Sequence, residues 1–384
     1  MYLRWICFVL GIFFLPIALI SQVRLGNQDF GAYLPVVKGK NVGVLVNQTS
    51  LVDDTHLVDT LMALGVNVTV IFSPEHGFRG NADAGEKVLD GVDRKTGIRI
   101  ISLYGDAKKP TPQQLQGIDW VLFDIQDVGV RFYTYISSLH LLMEACAEQH
   151  VGVVVLDRPN PNGDYVDGPV LDPKFKSFVG MHPIPVVHGL TIGELAQMIN
   201  GEGWLKAGAR CNLKVVKMAN YRRGEFYHVA VKPSPNLPND LSIRLYPSLC
   251  FFEGTAISVG RGTGFPFQVA GYPDKRFGSF SFVPESIDGM ARQPLHENKI
   301  CYGLDLRNAP GDSRFTLKYL IDFHRNWGDK PGFISSPRFF NLLAGNDVLQ
   351  KQILEGMTEA QIRKTWQADI DKYLEMRRKY LIYP

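Results

Sequence analysis

A chain of 384 residues that is 45% hydrophobic and 21% charged has the composition of an ordinary globular protein, which excludes an intrinsically disordered chain. Its formal net charge of +3 at pH 7, with no basic run interleaved with aromatic residues, excludes a typical nucleic-acid-binding protein. The length is sufficient for two packed domains.

The N-terminal segment MYLRWICFVLGIFFLPIALIS has one arginine ahead of an apolar run over residues 5–20. This pattern predicts an export signal over residues 1–22 and therefore a periplasmic or secreted protein. A retained membrane anchor is the alternative, because the run is nearly long enough to span a bilayer and no clear A-x-A site follows it. Once the signal is removed, we expect no stable membrane span.

The chain after this segment contains four cysteines, with no C-x-x-C spacing that would indicate a metal site. A protein of this size can build its core without disulfides, so we expect buried free thiols even in an oxidising compartment. The four residues are Cys146, Cys211, Cys250 and Cys301.

Short apolar runs alternate with helical patterns through the first half of the chain, which predicts a doubly wound, mainly parallel α/β sheet. The runs are rich in β-branched residues, as strands covered on both faces usually are. We predict strands at residues 41–47, 66–72, 99–104, 119–125, 151–157 and 213–218. Helices are predicted at residues 57–64, at residues 136–149 and after Thr191, which matches a capping box with Glu194.

A proline-rich stretch, VKPSPNLPNDL, predicts a crossing into a second unit. We therefore divide the chain into an α/β domain of residues 23–240 and a smaller C-terminal α+β domain of residues 241–384. The second unit is expected to begin with mixed strands near Phe251. It should end in helices, the last of which follows a capping box of Thr358 and Gln361.

Polar residues follow the first five predicted strands at their carboxyl ends, where open parallel sheets bind ligands. The loops concerned include SPEHG, DIQDVGVRFYTY and DRPNPNG. The candidates on these loops are Asn47, Glu75, His76, Tyr104, Asp124, Gln126, Asp127, Arg131, Tyr133, Tyr135, Asp157, Arg158, Asn160 and Asn162. Turn or capping roles explain Asp157, Asn160 and Asn162 equally well, and a hydrogen bond within its own loop is an alternative role for His76.

The chain lacks the sequence motifs of several common enzyme classes. The loop after the first strand reads NQTSLVDD, without the G-x-G-x-x-G of dinucleotide-binding proteins. No G-x-S-x-G elbow of serine hydrolases and no H-E-x-x-H motif of zinc proteases occurs.

The second unit adds a carboxylate, Glu253, in the segment FFEGTAISVGRGTGFPF, which we expect to be a tight, exposed loop. Two carboxylates from separate elements that face each other across a cleft are what glycosidic cleavage needs. The tyrosines suit stacking on a sugar ring, and the arginines suit a carboxylate carried by that sugar.

Seven segments occur in order across nearly the whole chain after the signal: VNQTS, SPEHGFRG, DIQDVGVRFYTYI, LDRPNPNG, HGLTIGELA, SPNLP and FEGTAISVGRGTGFPF. Together they resemble the bacterial exo-β-N-acetylmuramidases of the NamZ type, glycoside hydrolase family 171. The resemblance implies a Rossmann-like domain, a smaller C-terminal domain and an active cleft between them. It also implies release of N-acetylmuramic acid from the non-reducing ends of peptidoglycan fragments, without a metal or organic cofactor.

The resemblance also implies roles for individual residues. The family's proposed catalytic glutamate maps onto Glu75, here a general acid, and the second catalytic group is Glu253 or Asp124. Arg131 or Arg261 would bind the lactyl carboxylate of muramic acid. The substrate-binding set comprises Asn47, His76, Gln126, Asp127, Arg131, Tyr133, Tyr135, Arg158, Asn160, His188, Asn236, Arg261 and Thr263.

Two other functions are compatible with the same residues. One is a cell-wall-binding protein that has kept the cleft but lost turnover. The other is a metal-dependent hydrolase that uses His76, Asp124 and Asp127. The stereochemical outcome also stays open, because carboxyl groups about 5 Å apart indicate retention and about 6.5 to 9.5 Å indicate inversion.

Overall fold

The computed structural model describes residues 22–75, 77–78, 90–105, 107–328 and 330–384. His76 and residues 1–21 of the predicted signal lie outside the described residues. The strands are β1 (Asn41–Val46), β2 (Leu51–Val52), β3 (Thr55–His56), β4 (Asn67–Ser73), β5 (Gly91–Val92), β6 (Arg99–Ser102), β7 (Trp120–Asp124), β8 (Gly152–Leu156), β9 (Asn212–Val216), β10 (Val269–Tyr272), β11 (Phe280–Phe282) and β12 (Cys301–Asp305).

The α-helices are α1 (Phe30–Val37), α2 (Leu57–Ala63), α3 (Pro112–Leu115), α4 (Tyr135–Glu148), α5 (Ile192–Gly201), α6 (Asp240–Leu249), α7 (Lys318–Trp327), α8 (Pro337–Ala344), α9 (Val348–Leu354) and α10 (Glu359–Arg378). Short 3₁₀ helices lie at Gly26–Gln28, Pro173–Phe175, Lys206–Gly208, Cys250–Gly254 and Lys275–Phe277.

The main sheet has the strand order β5-β6-β4-β1-β7-β8-β9. All of its pairings are parallel except that of β5 with β6 at one edge. From β1 the chain moves outward through β4 to β6, and it then crosses to β7, β8 and β9 on the other side. The predicted Rossmann-like, doubly wound sheet is therefore confirmed, and its switch point lies between β1 and β7.

The burial of the strands explains their nearly continuous apolar sequence. In β8, Val153 and Val155 belong to one hydrophobic cluster, whereas Val154 and Leu156 belong to the cluster on the opposite face of the sheet. All four side chains are fully buried. Both faces of the strand thus need apolar residues, which is the pattern expected of a sheet covered by helices on both sides.

The C-terminal part contains a small antiparallel sheet of order β10-β12-β11, accompanied by α7 to α10. The expected mixed strands near Phe251 are wrong, because this residue lies in the 3₁₀ helix Cys250–Gly254 that directly follows α6. Phe251 and Phe252 are both fully buried. A short apolar run buried on all sides has no periodicity that separates a strand from a helix.

Other local predictions agree with the structure. The hydroxyl groups of Thr191 and Thr358 cap α5 and α10 as the sequence predicts. The four cysteines are buried free thiols, also as predicted. Within the described ranges, every helix is too short or too polar to cross a bilayer.

A buried histidine pair connects α4 to the loop before α5. His140 Nδ1 lies 3.0 Å from His182 Nε2, and both side chains are almost fully buried. Burial, reinforced by the nearby Lys176, lowers the pKa of His140 to about 4. Burial also lowers the pKa of His182 well below its ordinary value. Both rings are therefore neutral in the folded protein at neutral pH.

This pair should make the protein sensitive to mild acid. Because the folded-state pKa values are lowered, the unfolded chain takes up protons first as the pH falls below 6.5. The contribution of the neutral histidine pair to stability is thus fully present above that pH. It is lost progressively as the pH falls towards 4. Between pH 7.5 and pH 5 we expect His140 alone to cost about 2 kcal/mol of unfolding free energy.

Urea unfolding at the two pH values measures this effect. The double variant His140→Leu/His182→Leu lacks both titrating groups, so its decrease between pH 7.5 and pH 5 should be smaller than that of the wild type. Equal decreases in the two proteins would show that the pair does not cause the acid sensitivity.

Candidate active site

Glu75 lies directly after β4, at the carboxyl edge of the sheet. The hydroxyl of Tyr104 donates a hydrogen bond to Glu75 Oε1 at 2.9 Å, and Thr134 Oγ1 donates to Oε2 at 3.2 Å. Glu75 is only partly buried, and within the described residues no arginine or lysine forms an ion pair with it. The two hydroxyl groups therefore hold the carboxyl group in a fixed direction, and the side chain is partly exposed to solvent.

A tight turn presents this carboxylate. Pro74 ends the strand, and the backbone N–H of Gly77 donates to the Pro74 carbonyl oxygen at 3.1 Å. Gly77 has a φ of 79°, which a residue with a side chain rarely adopts. The proline and the glycine thus form a turn that projects Glu75 from the end of β4.

Two tyrosines pack beside Glu75: Tyr133 in the loop after β7 and Tyr135 at the start of α4. The ring centroids of Tyr133 and Tyr135 are 5.0 Å apart, in an edge-to-face arrangement. The Tyr133 hydroxyl donates to the Pro233 carbonyl at 2.7 Å, and the Tyr135 hydroxyl lies within reach of the Pro233 and Glu75 carbonyls at 3.3 and 3.5 Å. Burial raises the pKa of both tyrosines, so both remain protonated donors.

Asn47, directly after β1, supports this group from the centre of the sheet. Its Oδ1 accepts hydrogen bonds from the backbone N–H and the hydroxyl of Thr49 at 2.9 and 2.6 Å. Burial raises the pKa of Tyr135, an effect that the neighbouring Asn47 side chain partly offsets. Asn47 Nδ2 has no hydrogen bond of normal geometry to any described residue.

The second predicted carboxylate, Glu253, is paired with Arg261. Arg261 Nε donates to Glu253 Oε1 at 2.7 Å, and the two side chains are 28% and 21% exposed. The thiol of Cys250 lies 3.5 Å from Glu253 Oε2. The pair thus remains partly open to solvent, although most of the segment around it is buried, unlike the exposed loop that the glycines predicted.

Aromatic contacts connect the two carboxylates. The Tyr246 ring is 6.1 Å from that of Tyr133 and 4.9 Å from that of Phe267. The Arg261 guanidinium lies 5.0 Å above the Phe267 ring. We call Glu75 and the surrounding Tyr104, Tyr133, Thr134 and Tyr135 the Glu75 group. A continuous series of contacts therefore leads from this group, at the edge of the sheet, to Glu253 in the second unit.

Asp124 does not belong to this surface. It is fully buried at the end of β7, and Arg158 Nε and Nη2 bind its two oxygens at 2.5 and 3.0 Å. Asn27 Nδ2 donates to Oδ2 at 2.9 Å. This internal ion pair leaves no side of the carboxylate for water or a sugar, so the assignment of Asp124 as a catalytic residue is wrong.

Arg131 is also placed differently from the prediction. Its guanidinium is fully buried and donates to four backbone carbonyls at 2.6 to 2.9 Å, those of Pro169, Ile184, Leu343 and Ala344. A substrate carboxylate cannot reach it. The assignment of Arg131 to substrate binding is therefore contradicted, and Arg261 is the remaining candidate of the two.

Three other predicted residues, Asn160, Asn236 and Thr263, use their side chains to bind backbone carbonyl groups. Asn160 Nδ2 binds the Leu190 carbonyl, Asn236 Nδ2 binds the Met290 carbonyl, and Thr263 Oγ1 binds the Gly260 carbonyl. Gly129 approaches Asn160 so closely that a Cβ atom would lie 2.0 Å from Asn160 Oδ1. These contacts explain the residue types as loop-forming, which was the alternative role considered for Asn160.

Asp157 and Asn162 likewise have the structural role that was left open. Asp157 is buried at the start of α5, where it accepts hydrogen bonds from Thr191 Oγ1, the Gly193 N–H and the Tyr383 hydroxyl. Asn162 Nδ2 donates to the Val128 carbonyl at 2.8 Å. Both residues fix the loop after β8.

Asp127 and His188 are buried neighbours whose side chains are too far apart to form a hydrogen bond. Asp127 Oδ2 accepts the Gly129 N–H at 2.7 Å and lies 4.0 Å from His188 Nε2. Burial raises the pKa of Asp127 to about 7 and lowers that of His188 to about 3. Among the described residues, no group of three or more histidine, cysteine, aspartate or glutamate side chains is arranged to hold a metal ion.

Comparisons with known proteins extend over nearly the whole chain. Two family profiles match, described as "Exo-beta-N-acetylmuramidase NamZ, N-terminal" over residues 42–241 and the corresponding C-terminal profile over residues 244–383. The peptidoglycan beta-N-acetylmuramidase NamZ of Bacillus subtilis (strain 168) is 36% identical over 374 residues, which cover 91% of this chain and 89% of that protein.

Two crystal structures of DUF1343 family proteins from Bacteroides fragilis NCTC 9343 share the fold. The first, at 1.30 Å resolution, has a TM-score of 0.87 and 44% identity. The second, at 1.65 Å, has a TM-score of 0.83 and 28% identity. Each match covers 94% of this chain and 99% of the other chain.

Proposed function

The chain belongs to the exo-β-N-acetylmuramidase NamZ family, and we propose from this membership that it is an exo-acting glycosidase of cell-wall turnover. Its substrates are peptidoglycan-derived disaccharides and muropeptides, from whose non-reducing ends it releases N-acetylmuramic acid. The observation that carries the proposal is the partly open Glu75 carboxyl, held by the hydroxyls of Tyr104 and Thr134 at the ligand-binding edge of the sheet.

In the proposed reaction Glu75 is the general acid. Its proton passes to the glycosidic oxygen as the bond from that oxygen to the anomeric carbon breaks. A water molecule supplies the hydroxyl group at the anomeric carbon, and its proton passes to a base. Glu253 either activates this water directly or supports the substrate's own acetamido group as the first nucleophile.

We assign recognition of the lactyl carboxylate to Arg261. Its Nε is used by Glu253, which leaves the two terminal nitrogens for a ligand, and the side chain remains partly exposed. Guanidinium groups bind carboxylates through two parallel hydrogen bonds, which suits this arrangement. The proposed mechanism requires no metal or organic cofactor.

Export and domain division are further parts of the proposal. Arg4 followed by the apolar run of residues 5–20 supports export to the periplasm or the medium, with removal of residues 1–22. The separate N- and C-terminal profiles support a division into residues 23–240 and 241–384.

A release assay tests the proposed function. The purified protein without its signal is incubated with peptidoglycan that an endo-acting muramidase or glucosaminidase has digested, and the monosaccharides are identified by mass spectrometry. We expect N-acetylmuramic acid as the released sugar. Binding of muropeptides without release would instead identify a binding protein, and release abolished by a chelator would identify a metal-dependent hydrolase.

A further inference from the structure

A pocket of about 510 Å³ lies between the α/β domain and the second unit. One side is formed by residues 169–173 and Pro183, which precede α5. The other side is formed by residues 346–352, at the start of α9, and by one face of α10. None of its lining residues belongs to the Glu75 group or to the pair of Glu253 and Arg261. The pocket is therefore separate from the candidate active site.

Hydrogen bonds between the two units fix the walls of this pocket. The backbone N–H of Asp172 donates to the Gly345 carbonyl at 2.8 Å, which joins the loop before α5 to the end of α8. The hydroxyl of Tyr373, on α10, donates to the His188 carbonyl at 2.7 Å. Arg131 binds carbonyls of the same two segments. The pocket is thus largely preformed, as small-ligand sites usually are.

The floor of the pocket is apolar and partly aromatic. Trp366, Tyr373 and Met376 recur at helical spacing on one face of α10. Leu171 and Leu349 complete the floor, and all of these side chains except that of Met376 are almost fully buried. Such a floor suits a chain of methylene groups, and aromatic side chains also attract organic cations.

A buried amide in the pocket has an oxygen without a donor. Gln352 is 6% exposed, and its Nε2 donates to Thr365 Oγ1 at 3.2 Å, which holds the side chain between α9 and α10. Its Oε1 accepts no hydrogen bond from a described residue, and this atom is not enclosed by protein. A ligand that brings an N–H donor to this oxygen would therefore be favoured.

The charges that line the pocket favour a cation. Asp172 is half-buried and accepts the Lys174 backbone N–H at 3.0 Å, but no basic side chain of the described residues forms an ion pair with it. Asp369 and Lys372 pair with each other at 3.1 Å, so their charges cancel. Arg131 lies behind one wall and does not line the pocket. The lining thus keeps one negative charge.

The rim of the pocket adds a donor at the start of α9. Asn346 Oδ1 accepts the backbone N–H groups of Val348 and Leu349, each at 3.0 Å. The Asn346 Nδ2 group forms no hydrogen bond with a described residue. A free amide N–H suits a peptide carbonyl group. The volume of about 510 Å³ also leaves room for a peptide backbone beside one side chain.

We propose that this pocket binds a short peptide through a lysine-like side chain. The methylene groups of that side chain pack on the floor of Trp366 and its neighbours. The ammonium group donates to Gln352 Oε1 and pairs with Asp172, and a peptide carbonyl accepts from Asn346 Nδ2. The inference goes beyond the proposed function, because this binding needs no cleavage of a sugar.

Calorimetric titration with Nα-acetyl-lysine methylamide tests the site, in phosphate buffer that contains no competing amine. A probe of this size should bind the purified protein with a Kd on the order of 1 mM. The norleucine analogue, which lacks only the ammonium group, should bind at least roughly fivefold more weakly. Butylamine, which keeps the ammonium group without a peptide backbone, should also bind more weakly than the lysine probe.

Two positions locate the binding in this pocket. Asp172→Asn can still cap the 3₁₀ helix Pro173–Phe175 but removes the charge, so binding of the lysine probe should weaken roughly fivefold. Asp274→Asn is the matched control, because Asp274 caps another 3₁₀ helix outside the pocket. At the exposed Val348, Val348→Glu should strengthen binding of the lysine probe and Val348→Arg should weaken it.

Thermal unfolding of each variant should match that of the wild type, so a change in binding reports on the pocket rather than on folding. Equal binding of the lysine and norleucine probes, or shifts of the same sign in the two Val348 variants, would overturn the cation site. Butylamine binding as tightly as the lysine probe would overturn the peptide assignment. Absence of binding by the folded wild type would overturn both. None of these titrations depends on muramidase activity, so they are independent of the proposed function.

Discussion

Replacing Glu75 by glutamine should lower kcat for release of N-acetylmuramic acid from the disaccharide about 10³-fold. Glutamine has nearly the same shape and can still accept a hydrogen bond from Tyr104 or Thr134, so the local structure should persist. It cannot, however, give a proton to the glycosidic oxygen. Steady-state kinetics on the disaccharide measure the loss, and thermal unfolding of the variant should match the wild type.

The leaving group shows which role Glu75 has. A nitrophenyl group departs without protonation, so a variant that lacks only the general acid should lose much less activity on a chromogenic muramide. Glu253→Gln is the matched control, because a missing base should reduce turnover of both substrates similarly. Disaccharide turnover by Glu75→Gln within a few-fold of the wild type would remove Glu75 from the mechanism.

The sheet was predictable because its strands are buried on both faces. The apolar runs at residues 41–47 and 151–157 correspond to β1 and β8 within one residue at each end. Capping residues were equally informative. A threonine followed three residues later by glutamate or glutamine starts a helix through hydrogen bonds within a single turn, so the signal is contained in the local sequence. By contrast, α6 was missed, since it begins inside the proline-rich stretch that was assigned to a crossing.

The site was predictable only where local sequence determines geometry. Glu75, Tyr133 and Tyr135 come together because each follows a strand of one parallel sheet. Burial and pairing of charges depend instead on residues far away in the sequence: the partner of Asp124 is 34 residues distant. No local pattern distinguishes such an internal ion pair from a catalytic carboxylate.

The contributions of Thr134 and of the aromatic residues in the second unit were the hardest to predict. Thr134 lies between two predicted tyrosines but was not singled out, although its hydroxyl binds Glu75. Tyr246 and Phe267 connect the two carboxylates only through tertiary packing. A sequence shows that such aromatic residues exist, but the contact between them depends on how the second unit packs against the sheet.

Arg131→Met should destabilise the protein on the order of 4 kcal/mol, since it leaves four buried carbonyl oxygens without donors. Burial lowers the pKa of Arg131 to about 9, so the guanidinium is still charged at neutral pH and its hydrogen bonds are charge-assisted. Urea unfolding at pH 7.5 measures the loss. Arg307→Met, which removes an exposed ion pair with Asp305, is the control and should leave the urea midpoint nearly unchanged.

Arg131→Lys separates this structural role from substrate binding. Lysine keeps the charge but places only three donors around one nitrogen, so it cannot reach the carbonyls of Pro169 and Ile184 and those of Leu343 and Ala344 together. The variant should be less stable than the wild type yet cleave the disaccharide with nearly normal KM well below its unfolding temperature. A large rise in KM at unchanged stability would instead show that Arg131 binds the substrate. The expected outcome follows from where the guanidinium lies: it joins the loop before α5 to the end of α8, so its loss should weaken the attachment of the second unit, which carries Glu253 and Arg261.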